Sequence, residues 1–168
     1  MASSQSNNNQ TNFQQIVEFH KTFGLEHHDE PQKNILTDKP DLVKLRMSLI
    51  DEEHKETIEA TQNNDLIEVI DGLTDLLYVT YGTLSSYGVN ADQAFHLVHK
   101  SNMSKLCTSE AEAQETVQWY STNEKRYDSP AYRKADHGNY WVVYNESTGK
   151  ILKSINYKPV SFDSILNK

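Results

Sequence analysis

The sequence has little cysteine, no long apolar stretch and few basic residues. Each of these features excludes some classes of protein. A single cysteine, Cys107, is present among 168 residues, so no intramolecular disulfide can form. No apolar run approaches the roughly 20 residues that a membrane-spanning helix needs. The first dozen residues lack the basic and apolar regions of a signal peptide. We therefore expect a cytoplasmic protein with no membrane partner.

Basic residues are outnumbered, because 16 Lys and Arg stand against 24 Asp and Glu, a net charge of −8. This balance argues against a nucleic-acid polymer as partner, since binding a phosphate backbone requires a basic face. It does not exclude a nucleotide site, because bound metal ions reverse the local sign of the charge. Hydrophobic residues make up 36% of the chain, too many for full disorder.

Hydrophobic periodicity divides the chain into a tail, a helical core and an extension. Residues 1–11 are mostly Ser, Asn and Gln and are predicted to be a disordered tail. Residues 12–106 are predicted to form the core, with Asp38 and Asn90 as N-caps of its second and fourth helices. The four helices are expected over about 12–23, 40–63, 66–87 and 91–100. The third is apolar over much of its surface and should be central.

The predicted extension, residues 107–168, combines a helix with strands. Ser109 and Glu112 have the spacing of a capping box, which predicts a short helix over about 110–121. Apolar stretches at 140–144 and 150–155 flank a turn at 146–149, which predicts a β-hairpin. The predicted fold is thus mainly α, with a four-helix core followed by a small helix and a hairpin.

Six acidic residues on the second and third predicted helices are the candidates for chemistry. They are Glu52, Glu53, Glu56, Glu68, Asp71 and Asp75. Spacings of three, four and seven residues place each set on one helix face. Residues 66–87 contain no Lys, Arg or His to neutralise the acids of the third helix, and an unpaired buried carboxylate is costly. Oxygen ligands without Cys or a clear His set favour Mg²⁺ or Mn²⁺.

Two other interpretations of these acids stay open. The glutamates of the second helix, taken alone, are typical of a solvated helix face. A carboxylate-bridged di-iron bundle would need two Glu-x-x-His pairs, and only the pair Asp51 and His54 comes close.

The motifs resemble those of the all-α nucleoside triphosphate pyrophosphohydrolases, the MazG-like and phosphoribosyl-ATP-pyrophosphohydrolase-like superfamily. Its signature is Glu-x-x-Glu followed, after a spacer, by Glu-x-x-Asp, matched here by residues 53–56 (EHKE) and 68–71 (EVID). Residues 98–105 (VHKSNMSK) and 149–159 (GKILKSINYKP) resemble segments of the phage-type and bacterial stand-alone branch. The spacer is at the short end of the family pattern, and the hairpin exceeds the minimal helical module.

The resemblance implies Mg²⁺-dependent hydrolysis of a nucleoside triphosphate to a monophosphate and pyrophosphate, with Mn²⁺ as a substitute. The expected role is nucleotide-pool house-cleaning on a dUTP-like, dCTP-like or non-standard nucleotide. The family pattern assigns the principal ion to the four motif acids, Glu53, Glu56, Glu68 and Asp71. Glu52 would serve a second ion or orient water, so Glu52 and Glu53 are the candidate catalytic residues. Asp75 is a candidate for the metal, the base or a subunit contact.

Four further residues are candidates for binding substrate. The family segment suggests that Asn102 and Lys105 hold phosphate and sugar. Arg46 lies seven residues before Glu53, where it could reach a phosphate or pair with a glutamate. Lys153 could close over the site or face solvent.

The apolar third helix predicts a homodimer or homotetramer that buries it. Two rival functions stay open: a phosphoribosyl-ATP pyrophosphohydrolase, and a non-catalytic helical binding module.

Overall fold

The computed structural model describes residues 10–167 and is mainly helical, with a small antiparallel sheet toward the C-terminus. The elements in chain order are α1 (Asn12–Phe23), α2 (Ile35–Asp38), α3 (Pro40–Gln62), α4 (Leu66–Ser86), α5 (Ala91–Met103), α6 (Glu110–Asn123), β1 (Pro130–Lys134), β2 (Trp141–Asn145), β3 (Lys150–Ile151) and α7 (Asp163–Leu166). They form two compact units, residues 10–94 with 163–167, and residues 95–162. The disordered tail was predicted over residues 1–11, and residues 1–9 of it lie outside the residues that the structure describes.

The first unit is built on α1, α3 and α4. Thr11 caps α1 in a reciprocal capping box with Gln14, and Gly24 ends the helix in the left-handed conformation, at φ 66°. Pro40 opens α3 at the position where its missing N–H costs nothing. The expectation that Asp38 caps this helix is wrong, because Asp38 is the last residue of α2 and Lys39 precedes α3 without a side-chain cap.

The second unit packs α6 against a sheet of order β1-β2-β3. Its core contains Cys107, Ala113, Tyr120, Val143 and Leu152. The predicted hairpin is confirmed, since β2 and β3 pair antiparallel around the turn, although β3 has only two residues. The sequence contains no pattern that predicts β1, which pairs with β2 along its whole length. The strand PAYRK has no buried side chain and lacks the apolar alternation that marks a half-buried strand.

Other helix boundaries differ modestly from the predicted ones. Asn90 caps α5 as expected, accepting a hydrogen bond of 3.1 Å from the backbone of Gln93. The helix continues to Met103, three residues beyond the predicted end. Ser109 caps α6, but the Glu112 carboxylate turns to the backbone N–H of Thr108 rather than to that of Ser109. The short α7 was not predicted.

The helix α4 contacts both α1 and α3, yet much of its apolar surface stays open in the single chain. Its most exposed apolar side chains are Leu66, Ile67, Ile70 and Leu77, at 58–77% relative exposure. Its buried residues are mostly small and lie toward its C-terminal end, among them Gly82, Ser85 and Ser86. The prediction of a central helix therefore holds for its C-terminal part only.

None of the helices within residues 10–167 is both long enough and apolar enough to cross a membrane.

Candidate active site

A tight connection holds α3 and α4 together as a helical hairpin. Asn64 adopts the left-handed conformation, at φ 56°, which asparagine tolerates better than most residues. Asp65 then caps α4, accepting hydrogen bonds of 3.1 and 3.2 Å from the backbone N–H groups of Ile67 and Glu68. The hairpin therefore fixes the Glu-x-x-Glu segment of α3 opposite the Glu-x-x-Asp segment of α4.

The two helices approach closely at Thr57 and Gly72. A β-carbon at residue 72 would lie 2.6 Å from Oγ1 of Thr57 and 3.3 Å from its Cα. The Thr57 hydroxyl donates to the carbonyl oxygen of Glu53 at 2.8 Å, so it stays against its own helix. Glu53 and Glu56 precede this contact on α3, and Asp71 and Asp75 flank it on α4. The absence of a side chain at Gly72 thus brings the two acidic segments together.

Glu53 is the electrostatic centre of the acidic group. It is partly buried, and desolvation raises the pKa of its carboxyl group. The negative charges of four neighbouring carboxylates raise this pKa further: Asp75, Glu56, Glu52 and Asp71. Two of the four come from the opposite helix. The structure therefore brings together five of the six predicted acids around one carboxyl group.

The sixth predicted acid, Glu68, lies in the first turn of α4, one turn before Asp71 on the same face, and is exposed. Residues 68, 71 and 75 all lie on the one continuous helix α4, so their spacing places the three acids in a stripe along it, as predicted.

The acidic group is not neutralised within the described part of the chain. No Lys, Arg or His between residues 10 and 167 forms an ion pair with any of the six acids. The nearest cation in sequence, Lys55, pairs with Asp51 instead. Among these residues no three Asp, Glu, His or Cys side chains form a ready set of metal ligands. The negative charges of the carboxylates act on one another, and no cation of the described residues neutralises them. Such a set of hard oxygen donors fits a divalent cation.

Arg46 lies apart from this group, in a buried layer beside α1. Its side chain is 7% exposed, and Nη2 lies 3.4 Å from Nε2 of His20. His20 donates through Nδ1 to the carbonyl oxygen of Glu26 at 2.7 Å, which leaves Nε2 as an acceptor. Burial lowers the pKa of both His20 and Arg46. Gly82 makes room for the pair, since a β-carbon there would lie 3.0 Å from His20 Nε2.

The other candidate substrate residues belong to the second unit. Asn102 is exposed near the end of α5, and its carbonyl oxygen accepts from the backbone of Lys105 at 3.1 Å. The carbonyl oxygen of Lys105 accepts from the backbone of Ser154 at 3.2 Å. The ammonium group of Lys153 lies 4.4 Å from the centroid of the Tyr157 ring, a cation–π contact.

The α3–α4 hairpin carries the Glu-x-x-Glu and Glu-x-x-Asp motifs by which the sequence resembles the all-α pyrophosphohydrolases, and within residues 10–167 no cation pairs with the four motif acids. The family model described as phosphoribosyl-ATP pyrophosphohydrolase matches residues 16–102, more than half of the chain. The chain belongs to this family, which indicates a hydrolase of the pyrophosphohydrolase type.

One relative is a viral protein. An uncharacterized protein of Acanthamoeba polyphaga mimivirus is 28% identical to this chain, over 93% of this chain and 96% of that protein. The similarity therefore extends beyond the family match, which ends at residue 102 and so includes Asn102 but neither Lys105 nor Lys153.

Gly72 is a part of the site that the acidic motifs do not indicate. The sequence does contain a signal for this role, namely a glycine inside a predicted helix. Such a glycine costs about 1 kcal/mol of helix stability relative to alanine, and it usually has a packing reason. The environment of Arg46 had no comparable signal. Its contact with His20 joins residues 26 positions apart, on separate helices.

Proposed function

We propose that this protein hydrolyses a nucleoside triphosphate to a monophosphate and pyrophosphate in a Mg²⁺-dependent reaction, and that it serves in nucleotide-pool house-cleaning. The observation that carries this proposal is the group of carboxylates around Glu53, drawn from two helices and left without a cation by the described chain. A triphosphate brings further negative charge to this surface. Binding of an anionic substrate here therefore requires cations, and the family match supplies the reaction type.

The ion would be held by Glu53, Glu56, Glu68 and Asp71, with Glu52 and Asp75 beside them. When bound, Mg²⁺ neutralises phosphate oxygens and lowers the pKa of bound water. Glu52 is exposed next to Glu53 and is available to orient a water molecule and accept its proton as general base. Asp75, whose charge acts on Glu53 from α4, holds that carboxylate in a strongly negative environment. Mn²⁺ offers the same preference for oxygen ligands and is the expected substitute.

Substrate binding is assigned to residues outside the acidic group. Asn102 and Lys105 would hold phosphate and sugar, with Lys153 as a further cation and Arg46 as a phosphate contact. The base preference is proposed to be for a dUTP-like, dCTP-like or non-standard nucleotide.

A second copy of the chain would cover apolar surface that is exposed in the single chain. Exposed apolar side chains run along α4 and the facing part of α3: Leu45, Ile58, Leu66, Ile67, Ile70, Leu73 and Leu77. Apolar patches of this kind usually mark interaction sites. We propose a homodimer or homotetramer in which α4 packs against its counterpart.

The test is hydrolysis of a panel of nucleoside triphosphates, measured as pyrophosphate release with Mg²⁺ and with EDTA. Glu53→Gln and Asp71→Asn should each lower turnover at least about a hundredfold, because loss of even an outer-shell partner of a metal ligand costs about 10–100-fold. The matched control is Asp51→Asn, which removes an acid of α3 that pairs with Lys55 and should leave turnover unchanged. Full turnover of either site variant, or of the wild type in EDTA, would falsify the assignment.

Membership of the phosphoribosyl-ATP pyrophosphohydrolase family favours a second candidate, hydrolysis of phosphoribosyl-ATP. The same panel decides between the two if phosphoribosyl-ATP is included, because the preferred substrate has the higher kcat/KM. A non-catalytic binding module would hydrolyse neither.

A further inference from the structure

The second unit contains a pocket that the proposed reaction does not use. Its volume is about 470 Å³, within the range of about 300–1,000 Å³ that is usual for small-molecule sites. One wall is the face of α5 that carries Leu97, Lys100 and Ser101, and the opposite wall is the segment 156–161. Asn102 is not among the lining residues, because it lies on the other side of α5.

Hydrogen bonds hold the two walls in place. Oγ of Ser101 donates to the carbonyl oxygen of Lys158 at 2.9 Å and lies 3.0 Å from the hydroxyl of Tyr157. The backbone N–H of Lys158 donates to Oγ of Ser104 at 2.9 Å. The backbone of the far wall is therefore tied to α5 at two serines, and the pocket is formed before any ligand arrives.

The pocket presents free positive charge. Lys100 and Lys158 both line it, and within residues 10–167 neither ammonium group has a hydrogen-bond or ion-pair partner. The surrounding unit, residues 95–162, carries nine Lys and Arg against seven Asp and Glu, in a chain whose net charge is −8. An anion is thus favoured locally although the whole protein is acidic.

The acid in the wall, Glu112, forms no ion pair with either lysine, because its oxygens already accept hydrogen bonds from other groups. One carboxylate oxygen accepts from the backbone N–H and the hydroxyl of Thr108, both at 2.8 Å. The other accepts from the hydroxyl of Ser154 and from Nδ2 of Asn156. The charge of Glu112 remains in the wall, so the two lysines outnumber the one acid of the lining, and their ammonium groups are the charged donors left for a ligand.

Apolar side chains also line the pocket. Met103 and Tyr140 are 49% and 42% exposed, and Leu97, Leu106 and Val160 complete the apolar surface. A ligand that fills this volume would cover apolar surface, which favours binding by roughly 25 cal/mol per Å². The two lysines beside this surface call for an anionic group on the same molecule.

We propose that this pocket binds a small amphipathic anion, an aromatic or apolar body joined to a phosphate or carboxylate that contacts Lys100 and Lys158. The pocket lies within residues 95–162, and the proposal does not depend on the proposed hydrolysis. The anionic group could come from a nucleoside monophosphate or from an aromatic carboxylate, and the two sources are separated by the probes.

The experiment is an NMR titration of the ¹⁵N-labelled full-length protein in EDTA, with dUMP, phenylacetate and neutral deoxyuridine as separate probes. We expect saturable shifts at the amides of residues 97–106 and 156–161 with at least one anion, and none with deoxyuridine. Shifts with dUMP alone identify a phosphate ligand, and shifts with phenylacetate alone identify a carboxylate ligand. EDTA keeps the acidic group free of metal, so failure of the proposed hydrolysis does not affect the readout.

Variants test the role of the lysines. Lys100→Gln and Lys158→Gln should each weaken binding about tenfold, the usual effect of losing one charge-assisted hydrogen bond. Lys134→Gln, at an exposed position on β1 outside the pocket, is the matched control and should bind as the wild type does, as should Glu53→Gln. The proposal is overturned if neither anion gives saturable shifts at millimolar concentration, if deoxyuridine binds as well as dUMP, or if both lysine variants keep full affinity.

Discussion

Thr57 and Gly72 are in contact across the α3–α4 hairpin, at a distance that leaves no room for a β-carbon on residue 72. The contact lies one residue from Glu56 and one residue from Asp71. It therefore sets the separation of the two acidic segments as well as the packing of the helices.

Replacing Gly72 with alanine is expected to destabilise the fold. The higher helix propensity of alanine would favour the variant by about 1 kcal/mol, whereas overpacking at a closed contact costs about 1–3 kcal/mol. Because the clash involves the Cα of Thr57 as well as Oγ1, rotation of the threonine cannot relieve it fully. We expect a net loss in the free energy of unfolding measured in urea, with reduced turnover.

The double variant Gly72→Ala, Thr57→Ala tests the cause. Removing Oγ1 takes away the atom at 2.6 Å and should restore part of the stability lost by Gly72→Ala. A single variant as stable as the wild type would contradict an overpacking cost greater than the gain in helix propensity.

Metal binding should be visible as stabilisation without any substrate. A ligand that binds only the folded state stabilises it by about 2.7 kcal/mol at a hundredfold excess over its Kd. We expect the melting temperature to rise with Mg²⁺ or Mn²⁺ in the wild type and in Asp51→Asn, and to stay constant in Glu53→Gln. The measurement is thermal unfolding with EDTA and with each metal.

The metal-free arm of the same experiment has its own expected result. In EDTA, Glu53→Gln should be at least as stable as the wild type, because the neutral amide relieves the repulsion from Asp75, Glu56, Glu52 and Asp71. A variant that gains stability without metal and no longer responds to metal is the signature of a binding site. A variant that is simply less stable in both conditions contradicts this assignment.

Glu112 should make the stability of the second unit depend on pH. Hydrogen bonds from Ser154, Thr108 and Asn156 outweigh desolvation and lower the pKa of its carboxyl group from 4.5 to about 2. A pKa depressed in the folded state contributes stability above the unfolded value, and this contribution is lost as the pH falls from 4.5 toward 2. We expect Glu112→Gln to cost about 2 kcal/mol at pH 7, and less at pH 3.

The control for this variant is Glu115→Gln, an exposed glutamate on the same helix. Urea unfolding at several pH values should show the difference between the wild type and Glu112→Gln shrinking as the pH falls, and no such trend for Glu115→Gln. A difference that is constant between pH 7 and pH 3 would mean that the carboxylate does not carry the effect.

Arg46 is a buried cation with no acidic partner in the described chain. Its Nε has no hydrogen-bond partner there, and its only neighbour with an acceptor atom in range is His20. Replacing a buried charge with an apolar side chain of similar length is often neutral or stabilising. We expect Arg46→Met to unfold in urea at the wild-type midpoint or above it, and Lys44→Met, at an exposed position of α3, to show no change. A loss above about 3 kcal/mol would mean that the guanidinium group is satisfied by an anion.

Local patterns predicted much of the fold, and tertiary contacts account for what they missed. The bounds of α1, α3 and α4 follow from apolar periodicity and from Gly24, Pro40 and Asp65, which act within a few residues of the chain. The strand β1 exists only because β2 offers it a partner, so its own sequence carries little signal. Spacing likewise placed the acids on helix faces, but the contact of Thr57 with Gly72 and the burial of Arg46 depend on the approach of separate helices.

The exposed apolar surface of α4 gives the last prediction. Ile67 is 77% exposed, in the first turn of the helix that carries Glu68 and Asp71. If a second copy covers it, Ile67→Glu places a charge in an apolar interface and should convert the protein to a monomer, as measured by light scattering after size exclusion. Leu36→Glu, on α2 and 64% exposed, is the matched control and should keep the wild-type mass. Because Ile67 neighbours the acidic stripe, we expect the monomer to lose turnover as well. A wild-type chain that is already monomeric at micromolar concentration would refute the interface, and the apolar stripe would then have to serve a different partner.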